Sequence, residues 1–189
     1  TLIMHPNVTD TECVIPDSVT SIGEYAFYNY FNVTSVTIPD SVTTIGDCAF
    51  IVCDRLTSVK LGKSVTSIGK GAFEGCRFLT AVTIPDSVTS IGEYAFSSCD
   101  SLTNVTIPAS VIDLAPTAFS GCYRLTEIKI NNKNPHYSSD TNGVFDKEKK
   151  TLLIFPAGKT SISSVHGTAA AHTSAWEKRR IFPLRSARL

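Results

Sequence analysis

The chain has 189 residues, 42% apolar and 18% charged, and its 17 Lys+Arg balance its 17 Asp+Glu. A net charge of zero argues against a dedicated nucleic-acid binder, which carries a basic face, and against recruitment to an anionic membrane by charge alone. No stretch approaches the roughly 20 consecutive apolar residues that a bilayer span needs, so direct membrane insertion is not expected.

The first residues, Thr1-Leu2-Ile3-Met4-His5-Pro6, include neither an initiator Met nor a basic-then-apolar leader, and the chain reads as a piece of a longer protein. From there one phrase recurs every 23 residues. Ile22, Ile45, Ile68, Ile91 and Leu114 form one column. Ala26, Ala49, Ala72, Ala95 and Ala118 form a second, and Phe27, Phe50, Phe73, Phe96 and Phe119 a third. Val19, Val42, Val65, Val88 and Val111 keep the same register, as do Val36, Val59, Val82, Val105 and Ile128. The spacing never slips, which is the signature of a stacked solenoid whose turns occupy equal space.

Within each unit, Leu56-Thr57-Ser58-Val59-Lys60-Leu61 typifies an L-x-x-L-x-L segment that ends in apolar-polar-apolar alternation. That alternation predicts a short strand with Val59 and Leu61 inward and Ser58 and Lys60 outward, and stacked turns would pair such strands in parallel. Pro16, Pro39, Pro85 and Pro108 stop the strand, because proline cannot donate to the ladder. In Ser87-Val88-Thr89-Ser90-Ile91-Gly92-Glu93-Tyr94-Ala95-Phe96 the apolar spacings of three and four predict a helical turn or two on the outer arm.

The phrase Ile-Pro-Asp-Ser-Val-Thr-Ser-Ile-Gly-x-x-Ala-Phe-x-x-Cys-x-x-Leu-Thr-x-Val, here spanning roughly residues 10 to 160, resembles the BspA-like leucine-rich-repeat family of microbial surface proteins. The resemblance implies an α/β repeat solenoid: a right-handed leucine-rich-repeat coil with a parallel concave sheet and short helical or irregular convex arms. It also implies an extracellular or cell-surface protein, of the kind often used in adhesion to host matrix proteins or other microbes.

Three regions follow: a solenoid over 1–130, a β-hairpin element continuing the array over 131–160, and a C-terminal stretch over 161–189. The hairpin is predicted from the apolar runs Gly143-Val144-Phe145 and Thr151-Leu152-Leu153-Ile154-Phe155, joined by Asp146 to Lys150. The C-terminal stretch leaves the repeat pattern, and two readings stand: a capping helix from Thr168, or a tail foreign to the domain.

Few residues invite chemistry. Cys53, Cys76, Cys99 and Cys122 form a column whose side chains point the same way, which suits neither a disulfide nor a tetrahedral metal site; a buried ladder of reduced thiols is expected. Cys13 takes an inward strand position, and Cys48 is the partly exposed thiol. Gly62-Lys63-Ser64 mimics a phosphate loop, but Thr57 stands where that loop requires Gly. His5, His136, His166 and His172 share no ligand spacing and read as solvated. The columns Asp17, Asp40, Lys63, Asp86 and Glu24, Asp47, Lys70, Glu93 each carry Lys in the third turn, which relieves the repulsion of stacked like charges. No enzyme, metal or cofactor is expected.

The outward strand positions remain: Ser35, Thr37, Ser58, Lys60, Ala81, Thr83, Asn104, Thr106, Glu127 and Lys129. They project in rows without supporting the core, and are the candidate binding face. With few aromatics or Arg there, weak and multivalent binding is expected. The function read from the sequence is a non-catalytic binding module for a protein or glycoprotein ligand, such as host matrix or a microbial surface; a structural spacer displaying other domains is the alternative. Asn7, Asn32 and Asn104 begin sequons, and a glycan on Asn104 would block the proposed face.

Overall fold

The computed structural model describes residues 11–160. Fourteen strands, numbered in chain order, build it. One ladder is made by β1 (Glu12–Val14), β3 (Ser35–Thr37), β5 (Ser58–Lys60) and β7 (Ala81–Val82), and on the same side of the repeat lie β9 (Asn104–Ile107) and β11 (Glu127–Ile130). A second ladder joins β2 (Ser21–Ile22), β4 (Thr44–Ile45), β6 (Ser67–Ile68), β8 (Ser90–Ile91) and β10 (Asp113–Leu114). All pairs in both are parallel, and every register links residues 23 apart, as in Ser35↔Ser58 and Ile45↔Ile68. The sequence period is thus the turn of the coil. Turn one begins at β1, turn two at β3, and so on to turn five at β9.

Among the described residues there is no helix, so the helical arm expected from the spacing of Val88, Ile91, Ala95 and Phe96 gives way to the irregular alternative. The reason lies in the backbone. In each arm a left-handed residue recurs: Asn29, Val52, Gly75, Ser98 and Gly121 all have positive φ, and Tyr25, Cys48, Gly71 and Tyr94 do so four residues earlier. A left-handed residue every fourth position cannot propagate an α-helix. The N–H groups instead alternate in purpose. Those of Ala26, Tyr28 and Tyr30 close local turns onto the carbonyls of Gly23, Tyr25 and Phe27, while those of Tyr25, Phe27 and Asn29 reach the carbonyls of Asp47, Ala49 and Ile51 in the next turn. Apolar spacings of three and four therefore arise here from consecutive tight turns.

The inward columns fill the coil. Phe27, Phe50, Phe73, Phe96 and Phe119 stack nearly parallel, with centroids 4.6, 5.0, 5.3 and 5.5 Å apart. Val, Ile, Leu and Ala columns close around them. The outer hydroxyls tie turn to turn: Thr34, Thr57 and Thr80 donate to the carbonyls of Thr11, Thr34 and Thr57, and Ser41, Ser87 and Ser110 donate to those of Val19, Val65 and Val88.

After Ile130 the regular turn is replaced by an antiparallel sheet of β12 (Tyr137–Asp140), β13 (Gly143–Asp146) and β14 (Leu152–Ile154). It docks on the last turn through polar side chains. The Tyr137 hydroxyl accepts from the Leu114 N–H of β10 and donates to the Ile112 carbonyl, and the Ser139 hydroxyl accepts from the Ile130 N–H of β11. Buried Asn134 donates to the carbonyls of Pro108 and Val111 and accepts from the N–H groups of His136 and Tyr137. These groups supply bonds that a further strand would otherwise make to the solenoid's end. The stretch 161–189, with its two readings, lies outside the described residues.

Candidate functional site

The pleat of the first ladder sends alternate side chains out of the coil. In β5 this buries Val59 between exposed Ser58 and Lys60, and β9 and β11 repeat the arrangement around Val105 and Ile128. The ten outward residues expected from the sequence lie in two rows on this ladder. One runs Ser35, Ser58, Ala81, Asn104, Glu127, with Glu12 ahead of it, and the other runs Thr37, Lys60, Thr83, Thr106, Lys129, with Val14 ahead. Ser35 and Thr37 are half-buried, and the other eight are exposed. The face is polar and sparsely charged. Glu127 and Lys129 form an exposed ion pair at 3.7 Å, and the Asn104 amide donates to the Thr103 hydroxyl.

Two shallow grooves border these rows. One, of about 300 Å³, includes Thr83, Asp86, Asn104, Thr106 and Asn131 in its lining, and the other, of about 470 Å³, includes Val14, Thr37, Asp40 and Lys60. Neither gathers a nucleophile with a base. Among the described residues no group of three His, Cys, Asp or Glu side chains could hold a metal.

The thiol column is built into the main chain. Cys53, Cys76, Cys99 and Cys122 are buried, and each Sγ–H donates to the carbonyl of a Phe in the preceding turn: Phe27, Phe50, Phe73 and Phe96, at 3.0–3.3 Å. Hydrogen bonding with Cys53, then burial, pushes the Cys76 thiol well up, and Cys122 and burial do the same to Cys99. Cys13 is buried in β1, where burial raises its thiol too. Cys48 is a half-buried free thiol that hydrogen-bonds the Tyr25 side chain and holds that phenol above its usual range.

The charged columns are quieter than expected. Lys70 pairs with Glu93 at 3.0 Å in the exposed arm, as the charge alternation predicts. At Lys63, though, it is the main-chain N–H that meets Asp40, and the Lys70 N–H meets Asp47 in the same way, so these aspartates also serve as turn-to-turn clamps. Of the histidines, His136 is exposed in the hairpin element, and His5, His166 and His172 lie outside the described residues. Asn32 and Asn104 of the sequons are exposed.

One feature escaped the sequence reading, which looked for aromatics only on the strand face. Tyr25, Tyr28 and Phe31 are all more than half exposed at the first arm, and the two tyrosine rings meet edge to face at 6.0 Å. The signal was present in Tyr25-Ala26-Phe27-Tyr28-Asn29-Tyr30-Phe31, since one Phe column accounts for only one of those five rings.

A coil of 23-residue turns with a parallel ladder of inward Val, Leu and Ile is a leucine-rich-repeat solenoid. The chain belongs to the BspA type leucine rich repeat family, which matches residues 7–122 and 44–165 in six copies. Among solved structures, it is similar to a leucine rich cell surface protein from Faecalibacterium prausnitzii, with 34% identity over 69% of this chain and a TM-score of 0.66. Leucine-rich-repeat proteins from T. pallidum and Bacteroides ovatus are each 32% identical over 62% and 66% of the chain, both with a TM-score of 0.61. The chain spans 35%, 57% and 34% of the lengths of these three. No curated protein sequence matches it.

Proposed function

We propose that this domain is a non-catalytic recognition module displayed at a cell surface or secreted, and that it binds a protein or glycoprotein ligand through the outward rows of the first ladder. The observation that carries the reading is the division of labour within each strand. Inward residues form one continuous core, while Ser58, Lys60, Asn104, Thr106, Glu127 and Lys129 project outward with no part in it. Side chains relieved of core packing can vary without unfolding the array, which suits a recognition surface. The likeness to a protein described as a leucine rich cell surface protein supports the location.

The rows are small and hydroxyl-rich and lack the Trp, Tyr and Arg that dominate tight interfaces, so one copy binds weakly and affinity comes from repeated presentation. The spacer reading is favoured by the same sparse chemistry, and the two diverge in one experiment. Wild-type domain and a Lys60→Glu, Asn104→Arg, Lys129→Glu variant are titrated against immobilised host matrix proteins and microbial surfaces. Saturable binding lost by a variant with unchanged circular dichroism supports recognition; no binding by folded wild-type domain supports the spacer.

A further inference from the structure

The first ladder is interrupted. Its registers join three residue pairs between β1 and β3 and three between β3 and β5, but only two between β5 and β7. No pairing joins β7 to β9, and four pairs then join β9 to β11. The bonds leading into each strand follow the same course. The Thr34 N–H reaches the Thr11 carbonyl at 2.7 Å, Thr57 reaches Thr34 at 2.8 Å, and Thr80 reaches Thr57 at 3.2 Å. The equivalent bond from Thr103 to Thr80 is missing, the Ser101 N–H reaching the Arg77 carbonyl at 3.0 Å instead just ahead of the strand, and the series resumes with Thr126 to Thr103 at 3.0 Å. On the far side of the strands, Ile15 and Ile38 donate to the carbonyls of Thr37 and Lys60, whereas neither Leu61 nor Ile84 has such a bond, to Thr83 and Thr106.

Packing is slightly looser in turns three and four, on one side of this break only. Val59, Leu61, Val82 and Ile84 are 8, 8, 7 and 6% exposed, against 3% and 1% for Val36 and Ile38 and 2% and 0% for Val105 and Ile107 in the same columns. The groove lined by Ala81, Thr83, Asn104 and Thr106 lies at this break. The second ladder and the later part of the arm stay bonded there, although the Tyr94 N–H makes no bond to the next turn like those of Tyr25, Cys48 and Gly71. β8 pairs with β10, Phe96 N–H reaches the Ala118 carbonyl at 2.8 Å, Ser98 reaches Ser120, and the rings of Phe96 and Phe119 remain stacked. One turn earlier, Gly62 replaces the corner proline and lies so close to turn two that a Cβ would fall 2.1 Å from the Pro39 carbonyl oxygen.

We infer that the junction of turns four and five is a hinge, at which the array bends by opening the first-ladder side about the unbroken second ladder. Opening any other junction breaks a bridged strand pair; opening this one breaks none. Bending at such a seam follows the general rule that motion concentrates where few bonds and little burial oppose it. Ala81 and Thr83 ride on one side of the hinge and Asn104 and Thr106 on the other, so bending alters the spacing within the outward rows.

Spin labels test this directly. In a Cys48→Ser background, Glu12→Cys with Ala81→Cys spans three turns within the closed stack, and Ser58→Cys with Glu127→Cys spans three turns across the seam, in the same outward row. The account expects the seam-spanning distance distribution to be about twice as wide. Equal widths overturn it. Hydrogen exchange on the unmodified domain gives an independent reading: Ile84 and Thr103 amides should exchange at least roughly tenfold faster than Ile38 and Thr57. Equal protection at these four amides overturns the hinge as well.

Discussion

Val52 holds a β-branched side chain at φ 60°, a conformation that L residues adopt at a cost of about 1–2 kcal/mol. Its column otherwise contains Asn, Gly, Ser and Gly, none of them β-branched. Val52 is about one-third exposed, so replacing it forfeits only part of a valine's burial. Val52→Asn is therefore expected to raise the unfolding free energy by about 0.5–1 kcal/mol, read as a higher urea midpoint. Thiols supply a second residue-scale prediction. Cys13, Cys76 and Cys99 keep their protons to higher pH when folded than in the unfolded chain, where thiols ionise near roughly 8.5. The unfolded state binds fewer protons across that interval, so their contribution is constant at neutral pH and stability falls as pH rises above about 8.5. A thermal-melt series from pH 7 to 10 should show this decline, and Cys76→Ala should blunt it. The buried inward columns and the thiol ladder were legible in the sequence because both depend only on which residues repeat. The carbonyl that each thiol meets was not, since it belongs to a backbone whose path the column does not specify.

At the scale of the element, the two ladders and the hairpin are each secured by a different device. The strand period was readable from Ser58-Val59-Lys60, whose alternation has one structural solution in a stacked array. The arm was misread for a physical reason: spacings of three and four are shared by a helix and by consecutive tight turns, and only the left-handed residues at Cys48 and Val52 tell them apart. Non-glycine residues in that conformation leave little trace in a sequence. Asn134 was missed too, standing where the repeat register had already changed. It is buried and satisfies two carbonyls and two N–H groups at the junction of solenoid and hairpin. Asn134→Ala leaves the two buried carbonyls and the two part-buried N–H groups without their partner, and is expected to lower stability by about 2–4 kcal/mol, measured by chemical denaturation. Loss of Tyr137's hydroxyl in Tyr137→Phe removes only the β10 cap and should destabilise by about 1 kcal/mol.

For the whole molecule, uniform turns create a long polar face and a separate aromatic arm, and the account assigns recognition to the former. Which outward residues line up was legible from the 23-residue register. That they sit beside a seam was not, because which neighbouring strands bridge depends on a backbone spacing that the register does not specify. The deciding measurement is a three-way binding isotherm on whichever matrix or microbial surface the wild-type domain saturates. It compares wild type, the Lys60→Glu, Asn104→Arg, Lys129→Glu variant, and a Tyr25→Ala, Tyr28→Ala variant of the arm. The account predicts at least a roughly tenfold loss of affinity in the strand-face variant and near wild-type binding in the arm variant. The reverse pattern, with binding lost only when the two tyrosines are removed, would contradict it and move the recognition site to the first arm.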